Sequence, residues 1–511
     1  MDKGKRSWAW LLAIAAVVLY CIALGEVPLR DWDEGTYAII AREMFTSSEW
    51  LYPTLHNVPF WEKPPLVYWL MAGSYHLGGV SELTSRLALA VLSSLAVPLL
   101  YGIGCQAFGQ SLPALWGAIA YLTTLPVVRH GRLAMHDGLA VTCFLFALWC
   151  LLKGRKQPVY LTGFGMGMGL VVLSKGLLAV LLGAIALFFC LWAGLGNLWL
   201  NSWFLAGVGA GLVPVLGWYG LQWQAYGRAF IQVHFFAQSF DRISQVVHSN
   251  TGPFWYYLVE LVKYAGVWLA FIPGGIWLAW QGRQQLWAKL VLVGIVGYLG
   301  TISLMTTKLP WYIMPLYPFT CLAVGAKLAQ LWSNPRLQRW FWLGWLVFLS
   351  LGAVVGLGYF WGYDRQPILV LMAGVLGLAL AYAAWLVCQG QNRYLIAIAA
   401  GCYGALVLLM ASPVWLWELN EAFAVKPVAA MVRANTPSQM VVYTSFSYHR
   451  PSLNFYSDRQ IKPESPTRLQ QIWSTTSQPY FLLDFASRDR LNLPQSRSLA
   501  QTDQFVLLTK F

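Results

Sequence analysis

The sequence predicts an all-α polytopic membrane protein that carries a small external α/β domain at its C-terminal end. Three observations predict it. Only 11% of the 511 residues are charged and 58% are hydrophobic, far from the roughly 25% charge of a soluble domain. Apolar runs near 20 residues, the length that crosses about 30 Å of hydrocarbon, recur from residue 8 to residue 413. Beyond residue 414 those runs stop, and Ser, Gln, Arg and Pro become frequent.

In chain order, Lys3, Lys5 and Arg6 precede the first apolar run, and no small-residue cleavage site follows it. That is the pattern of a retained signal anchor. With this run at 8–24, further spans are expected at 81–108, 111–127, 135–153, 158–174, 176–193, 201–222, 253–281, 286–306, 309–330, 338–361, 366–388 and 393–413, about thirteen in all. An odd number places the termini on opposite sides. Lys153, Arg155, Lys156, Arg283, Arg336, Arg339 and Arg393 then share a side with the basic N-terminus. By the Lys/Arg bias that side is the cytoplasm, and the C-terminal domain is external. Residues 1–413 form the transmembrane domain. Within it, residues 25–80 form a long first external loop with two amphipathic stretches, 36–48 and 64–77, expected to lie along the interface. A second external loop covers 223–252. Residues 414–511 form the external domain, with a helical pattern near 425–434 and strand-like runs at 440–443, 480–483 and 504–508.

Composition excludes several function classes. The formal net charge of +14 sits in short loops between apolar runs, where lipid headgroups account for it, so no nucleic-acid partner is expected. The eight Cys are scattered without a CxxC pair, which argues against a redox motif or zinc cluster. Gly163, Gly165, Gly167 and Gly169 alternate at two-residue spacing and read as small-residue helix packing, not as a dinucleotide fingerprint. No GxxxxGK[ST] loop occurs.

Polar chemistry gathers in the external loops. The first holds Asp31, Asp33, Glu34, Glu49, His56, Glu62 and Lys63; later ones hold Arg129, His130, Arg132, His136, Asp137, Lys175, Asp241, Arg242, His248, Lys308 and Tyr312. The expected topology puts all of them on one side of the membrane. Ionisable groups at membrane depth are costly, so a one-sided collection of acids and bases marks a functional site. Carboxylates in such a site can serve as general bases, and Lys or Arg can stabilise a departing phosphate.

The ordered pieces Asp33-Glu34-x-x-Tyr37-Ala38, Arg42-Glu43-Met44, Trp50, Glu62-Lys63-Pro64-Pro65 and Tyr68-Trp69 resemble the first-loop signature of GT-C glycosyltransferases. Arg86, Asp137, Ser174-Lys175-Gly176, Gly252-Pro253-Phe254-Trp255-Tyr256-Tyr257 and Lys308-Leu309-Pro310-x-Tyr312-x-x-Pro315 continue it in order. The series is similar to the bacterial aminoarabinose transferases and to the dolichyl-phosphate-mannose protein mannosyltransferases. That resemblance implies the GT-C fold and a membrane glycosyltransferase of the plasma (inner) membrane. Such an enzyme takes a sugar from a polyprenyl-phosphate donor, undecaprenyl phosphate in bacteria, and inverts its anomeric centre. The acceptor is a lipid, glycan or protein on the external face, as in lipid A or glycan modification. Two alternatives stay open: protein O-mannosyl transfer to Ser/Thr, and a polyprenyl-lipid flippase or transporter.

Carried over residue by residue, Asp33 is the leading catalytic carboxylate and Asp137 a second acidic site residue, with Glu34 as the alternative under a one-residue shift. Lys63, Lys308 and Tyr312 are expected at the donor phosphate. The aminoarabinose transferases usually have Arg where this chain has Thr36, so a phosphate-contacting cation is either missing here or supplied by another residue, such as Arg129 or Arg132. Each residue also has a structural reading. Asp33 can cap a helix beginning near Thr36, Asp31 can be a solvated loop residue, Lys63 can reach for headgroups, and Tyr312 can belong to an interfacial aromatic belt. No cofactor is required; Glu62 and His248 are weak candidates for a divalent metal.

Overall fold

A computed structural model describes residues 3–241, 250–419, 423–438 and 440–511. The chain divides into two compact units. The first comprises residues 1–24, 61–67 and 87–415; the second comprises 25–60, 68–86 and 416–511. The long segment 25–86 therefore groups with the C-terminal tail, apart from residues 61–67.

The first unit is helical and built for a bilayer. Among the described residues, seven helices are long and apolar enough to cross a membrane: Glu82–Phe108, His136–Gly154, Ser202–Gln238, Leu286–Leu304, Pro310–Ser333, Arg339–Tyr363 and Pro367–Cys388. Two bent pairs raise the number to nine: Ser111–Leu122 with Leu125–Arg132 at 62°, and Tyr256–Tyr264 with Gly266–Gln281 at 117°. Leu178–Ala193 and Tyr394–Met410 are shorter apolar helices. The four further expected spans, 8–24, 158–174, 176–193 and 393–413, fall on helices outside that set: Lys3–Cys21, and the shorter Leu161–Lys175, Leu178–Ala193 and Tyr394–Met410. The run at 253–281 reads as one span, yet the chain turns at Gly266, whose φ of +55° suits only glycine without strain.

One packing detail positions later chemistry. The Leu161–Lys175 helix carries the alternating glycines, and they serve two faces. A Cβ on Gly167 would lie 2.9 Å from Ala147 Cβ, and one on Gly169 would lie 2.5 Å from Gly211 O. Gly163 and Gly167 therefore admit the His136–Gly154 helix, while Gly165 and Gly169 admit the Ser202–Ile231 helix. The helix ends at Lys175, and Gly176 follows at φ +55°.

In the second unit, β1 (Thr54–Leu55) and β2 (Val58–Pro59) form a short hairpin. The tail supplies β3 (Val441–Thr444), β4 (Gln460–Pro463), β5 (Tyr480–Asp484), β6 (Ser496–Gln501) and β7 (Phe505–Lys510). They form one mixed sheet in the order β4-β3-β5-β7-β6. Strands β4, β3 and β5 run parallel, and β7 pairs antiparallel with both β5 and β6. Alternation sorts β5 and β7 between two cores. Leu482 and Leu507 pack with Val428, Val432 and Leu453; Phe481, Leu483, Val506 and Leu508 pack with Leu469 and Trp473. The helix expected near 425–434 is Val425–Asn435. Strands β4 and β6 are additional: they are edge strands, and β6 is mostly exposed and polar.

The two stretches of the first loop are helices, Asp33–Ser47 and Leu66–Gly78. The first is largely buried rather than spread on a surface. It packs on the Pro451–Ser457 helix, at a point where a Cβ on Gly35 would stand 2.5 Å from the Ser452 backbone nitrogen. Only glycine permits that approach.

Candidate active site

The acidic motif of the second unit separates into three roles. Glu34 is fully buried and forms a two-pronged pair with Arg86: Nε donates to Oε1 at 2.8 Å and Nη2 to Oε2 at 2.7 Å. The Arg30 amide also donates to Oε2. Arg86 also donates to the carbonyls of Val27 and Pro28. Such a pair fixes the backbone leading into the Asp33–Ser47 helix, and Glu34 acts as its anchor.

Asp31 corrects the expectation of a solvated loop residue. It is buried, pairs with Arg450 at 2.8 Å, and accepts from the Ser452 amide and hydroxyl. Asp33 stands between these two anchors as the first residue of its helix and is only partly buried. It is not the cap, which falls on Trp32. It lies in the first turn, where amide dipoles favour a carboxylate.

The first unit holds the cations. Asp137, the second residue of the His136–Gly154 helix, is buried and ion-paired with Lys175. The Lys175 ammonium also lies 5.5 Å from the centre of the Tyr312 ring, and Tyr312 is held through its carbonyl by the Tyr298 hydroxyl at 2.8 Å. Lys63 Nζ donates to Gln238 Oε1 at 3.4 Å. Its segment is tied down beside it: His234 Nδ1 donates to the Trp61 carbonyl at 2.7 Å, so Nε2 accepts from the Tyr219 hydroxyl at 2.8 Å. The two lysine segments meet at Gly176. A Cβ there would lie 3.7 Å from both His234 Nε2 and Tyr219 Oη and 3.8 Å from Pro64 Cγ. His136 lies within electrostatic reach of both Lys63 and Lys175.

Three other expected phosphate ligands have structural partners. Arg132 is fully buried, donates to the carbonyls of Leu19, Ile22 and Met410, and stacks 4.7 Å from the Trp415 ring. Arg129 is buried 6.0 Å from the Tyr264 ring. Lys308 donates to Ile302 O at 3.1 Å and Ser303 O at 2.6 Å, closing the C-terminal end of the Leu286–Leu304 helix. Burial pushes its ammonium below the usual lysine range. Lys175 belongs to a motif visible in the sequence, but its pairing with Asp137 is not; His234, Tyr219 and Gln238 carry no sequence signal beyond a polar residue in an apolar run.

A metal finds little support. Glu62 is exposed, and His248 lies outside the described residues. Among the described residues, no group of three or more His, Cys, Asp or Glu side chains gathers to hold an ion.

Residues 62–219 match the family described as dolichyl-phosphate-mannose-protein mannosyltransferase. The chain is 31% identical, over 64% of its length, to an undecaprenyl phosphate-alpha-4-amino-4-deoxy-L-arabinose arabinosyl transferase of Pseudomonas fluorescens, and spans 57% of that relative. A second such transferase of the same organism is 30% identical over 74% of the chain and 66% of the relative. A Pectobacterium carotovorum transferase of the same description is 28% identical over 80% of the chain and 76% of the relative. The chain thus spans about three fifths to three quarters of these relatives. Among solved structures, ArnT from Cupriavidus metallidurans bound to undecaprenyl phosphate superposes with a TM-score of 0.81 over 98% of each chain, at 19% identity. The archaeal oligosaccharyltransferase AglB of Archaeoglobus fulgidus gives 0.56 at 12% identity, over 94% of this chain and 69% of its own. These likenesses establish the fold.

Proposed function

We propose that this chain, a member of the dolichyl-phosphate-mannose-protein mannosyltransferase family of GT-C glycosyltransferases, transfers a pentose of the aminoarabinose type. The donor is undecaprenyl phosphate-linked, and the acceptor is a lipid or glycan at the outer face of the inner membrane. The observation that carries this reading is the meeting of the Lys63-Pro64 and Lys175-Gly176 segments, with His136 within electrostatic reach of both lysines and Asp137 and Tyr312 beside Lys175. Two ammonium groups held among apolar helices suit a phosphate delivered on a lipid. The names of the aligned relatives support the donor sugar.

An acceptor hydroxyl attacks the anomeric carbon from the face opposite the lipid phosphate, which gives inversion. The new carbon–oxygen bond forms as the bond to the phosphate oxygen breaks. The polyprenyl phosphate departs with the bonding pair, and Lys63 and Lys175 stabilise its charge. The hydroxyl proton passes to Asp33. In this reading Asp137 orients Lys175 rather than taking a proton, because the ammonium already engages its carboxylate. The N-terminus is assigned to the cytoplasm and residues 414–511 to the outer side.

Purified full-length protein in sealed proteoliposomes, given undecaprenyl phosphate-linked aminoarabinose and lipid A, tests the reading. Release of undecaprenyl phosphate with a matching mass gain on lipid A is expected. Release with a polyprenyl-phosphate hexose alone moves the donor assignment to hexoses. Passage of intact donor across vesicles without release replaces transfer by lipid transport.

A further inference from the structure

We propose that Trp32 and Tyr448 form a stacking platform for a sugar ring of the acceptor, an inference that rests on the glycosyl-transfer reading above. Both residues belong to the second unit. Their rings lie 5.2 Å apart at 18°, a parallel stack. Trp32 is nevertheless 55% exposed and Tyr448 36% exposed. A stacked indole that is still more than half exposed offers its other face outward.

The platform is built, not incidental. Arg450 donates to the Tyr448 hydroxyl at 2.6 Å and pairs with Asp31 at 2.8 Å, and its guanidinium lies 4.7 Å from the Tyr448 ring and 4.1 Å from that of Phe423. Asp31 adjoins Trp32 in the chain, so one arginine ties both rings of the stack to a buried carboxylate. Trp32 itself sits at φ +65° and ψ −116°, a conformation that bulky residues seldom adopt. Its ring is exposed rather than embedded, so core packing does not account for a tryptophan there. Strain kept at an exposed aromatic beside a catalytic candidate is the pattern of a ligand clamp.

The ligand chemistry follows from the surroundings. The ring face is apolar and electron-rich, the Tyr448 hydroxyl stands at its edge, and the exposed Ser447 and His449 adjoin Tyr448 in the chain. Because the Tyr448 oxygen accepts from Arg450, its own proton is left to donate. A pyranose matches this: its C–H face is slightly positive and lies on an aromatic face, while its hydroxyls meet the polar edge. A lipid tail gains nothing from such an edge. Asp33, the proposed base, is the next residue, so a sugar stacked on Trp32 brings its hydroxyls to the motif that would deprotonate one.

The test uses full-length protein with lipid A in mixed micelles, without donor, for Trp32→Ala, Trp32→Phe, Trp32→Gly and Tyr448→Ala. Wild type and Trp32→Phe should bind lipid A comparably, and the other three about tenfold more weakly. Binding of undecaprenyl phosphate should be the same in all five proteins. In transfer assays the acceptor KM should rise in the weak binders and the donor KM should not. Trp32→Gly separates platform from scaffold: glycine tolerates φ +65°, so its thermal midpoint should match or exceed wild type while lipid A binding falls. Wild-type binding by Trp32→Ala, no lipid A binding by the wild type, or a lowered midpoint in Trp32→Gly would overturn the platform. Binding that depends on Trp32 without any sugar transfer would leave the platform standing and sink the glycosyltransferase reading instead.

Discussion

Glu34–Arg86 and Asp137–Lys175 are both buried ion pairs, and they differ in what they leave over. In the first, both side chains are 0% exposed, and the guanidinium and carboxylate also satisfy neighbouring backbone groups. Nothing remains for a ligand. In the second, Asp137 is 4% exposed but Lys175 is 19% exposed, and the ammonium carries three protons of which the carboxylate takes only part. A saturated pair holds a backbone in place, whereas an unsaturated one can hold a cation ready for an anion.

The largest effect should come from breaking the saturated pair. Arg86→Ala leaves Glu34 as a buried carboxylate without its counter-ion and should cost about 3–5 kcal/mol. Loss of folded protein, read by thermal unfolding in detergent, is expected; replacing both residues together with Leu and Met should recover much of it. Asp33→Asn makes the complementary change. It should lower transfer by about 10²–10⁴-fold, the usual worth of a general base, while the thermal midpoint and undecaprenyl phosphate binding stay near wild type. Near-normal transfer by this variant would remove Asp33 from the mechanism.

Lys175→Gln addresses the unsaturated pair, with a smaller expected effect. Undecaprenyl phosphate affinity should fall about ten- to a hundredfold, the scale of one charge-assisted contact of roughly 1.5–3 kcal/mol. Lys175→Arg should restore part of it, and salt should weaken wild type more than Lys175→Gln. If Lys175→Gln instead unfolds the protein without affecting phosphate binding by the folded fraction, the pair belongs with Glu34–Arg86 and the comparison fails.

The sequence made one half of this contrast legible. Apolar runs locate the spans because burial in lipid needs only composition, and short apolar runs locate β5 and β7 because strands buried on both faces are continuously apolar. The order of short motifs points to Asp33, Lys63 and Asp137. Partnership, however, is tertiary. Glu34 finds Arg86 at a separation of 52 residues, and Asp31 finds Ser452 at 421, so Asp31, Asp33 and Glu34 appear as one acidic cluster until folding assigns each a different neighbour. Arg132 misleads for the same reason: a basic residue in a loop-like sequence is buried against three carbonyls. His234 is a lone histidine in an apolar run, and only the Trp61 carbonyl on its far side gives it a role.

The smallest expected effect concerns a third polar contact that lies between those extremes, and it is set by pH. His56, beside the β1–β2 hairpin, meets Asn454 with Nδ2 of the amide 3.0 Å from Nε2 of the ring. The amide orientation is fixed, because Asn454 Oδ1 accepts from the Ile461 amide at 3.2 Å. The amide nitrogen can only donate, so His56 Nε2 must be unprotonated for this contact to exist. Burial lowers the His56 pKa, opposed by the Glu43 carboxylate and reinforced by Arg42, Lys462 and His449. The folded value thus lies below the unfolded one, near 6.5, and the unfolded chain binds more protons in between. Stability from this contact is therefore complete above about pH 6.5 and is lost as pH falls through the folded value. The thermal midpoint of wild type should drop on acidification below that point by more than that of His56→Gln, whose side-chain oxygen can still accept from Asn454 but does not titrate. Parallel pH profiles for the two proteins would show that the His56–Asn454 contact contributes no pH dependence.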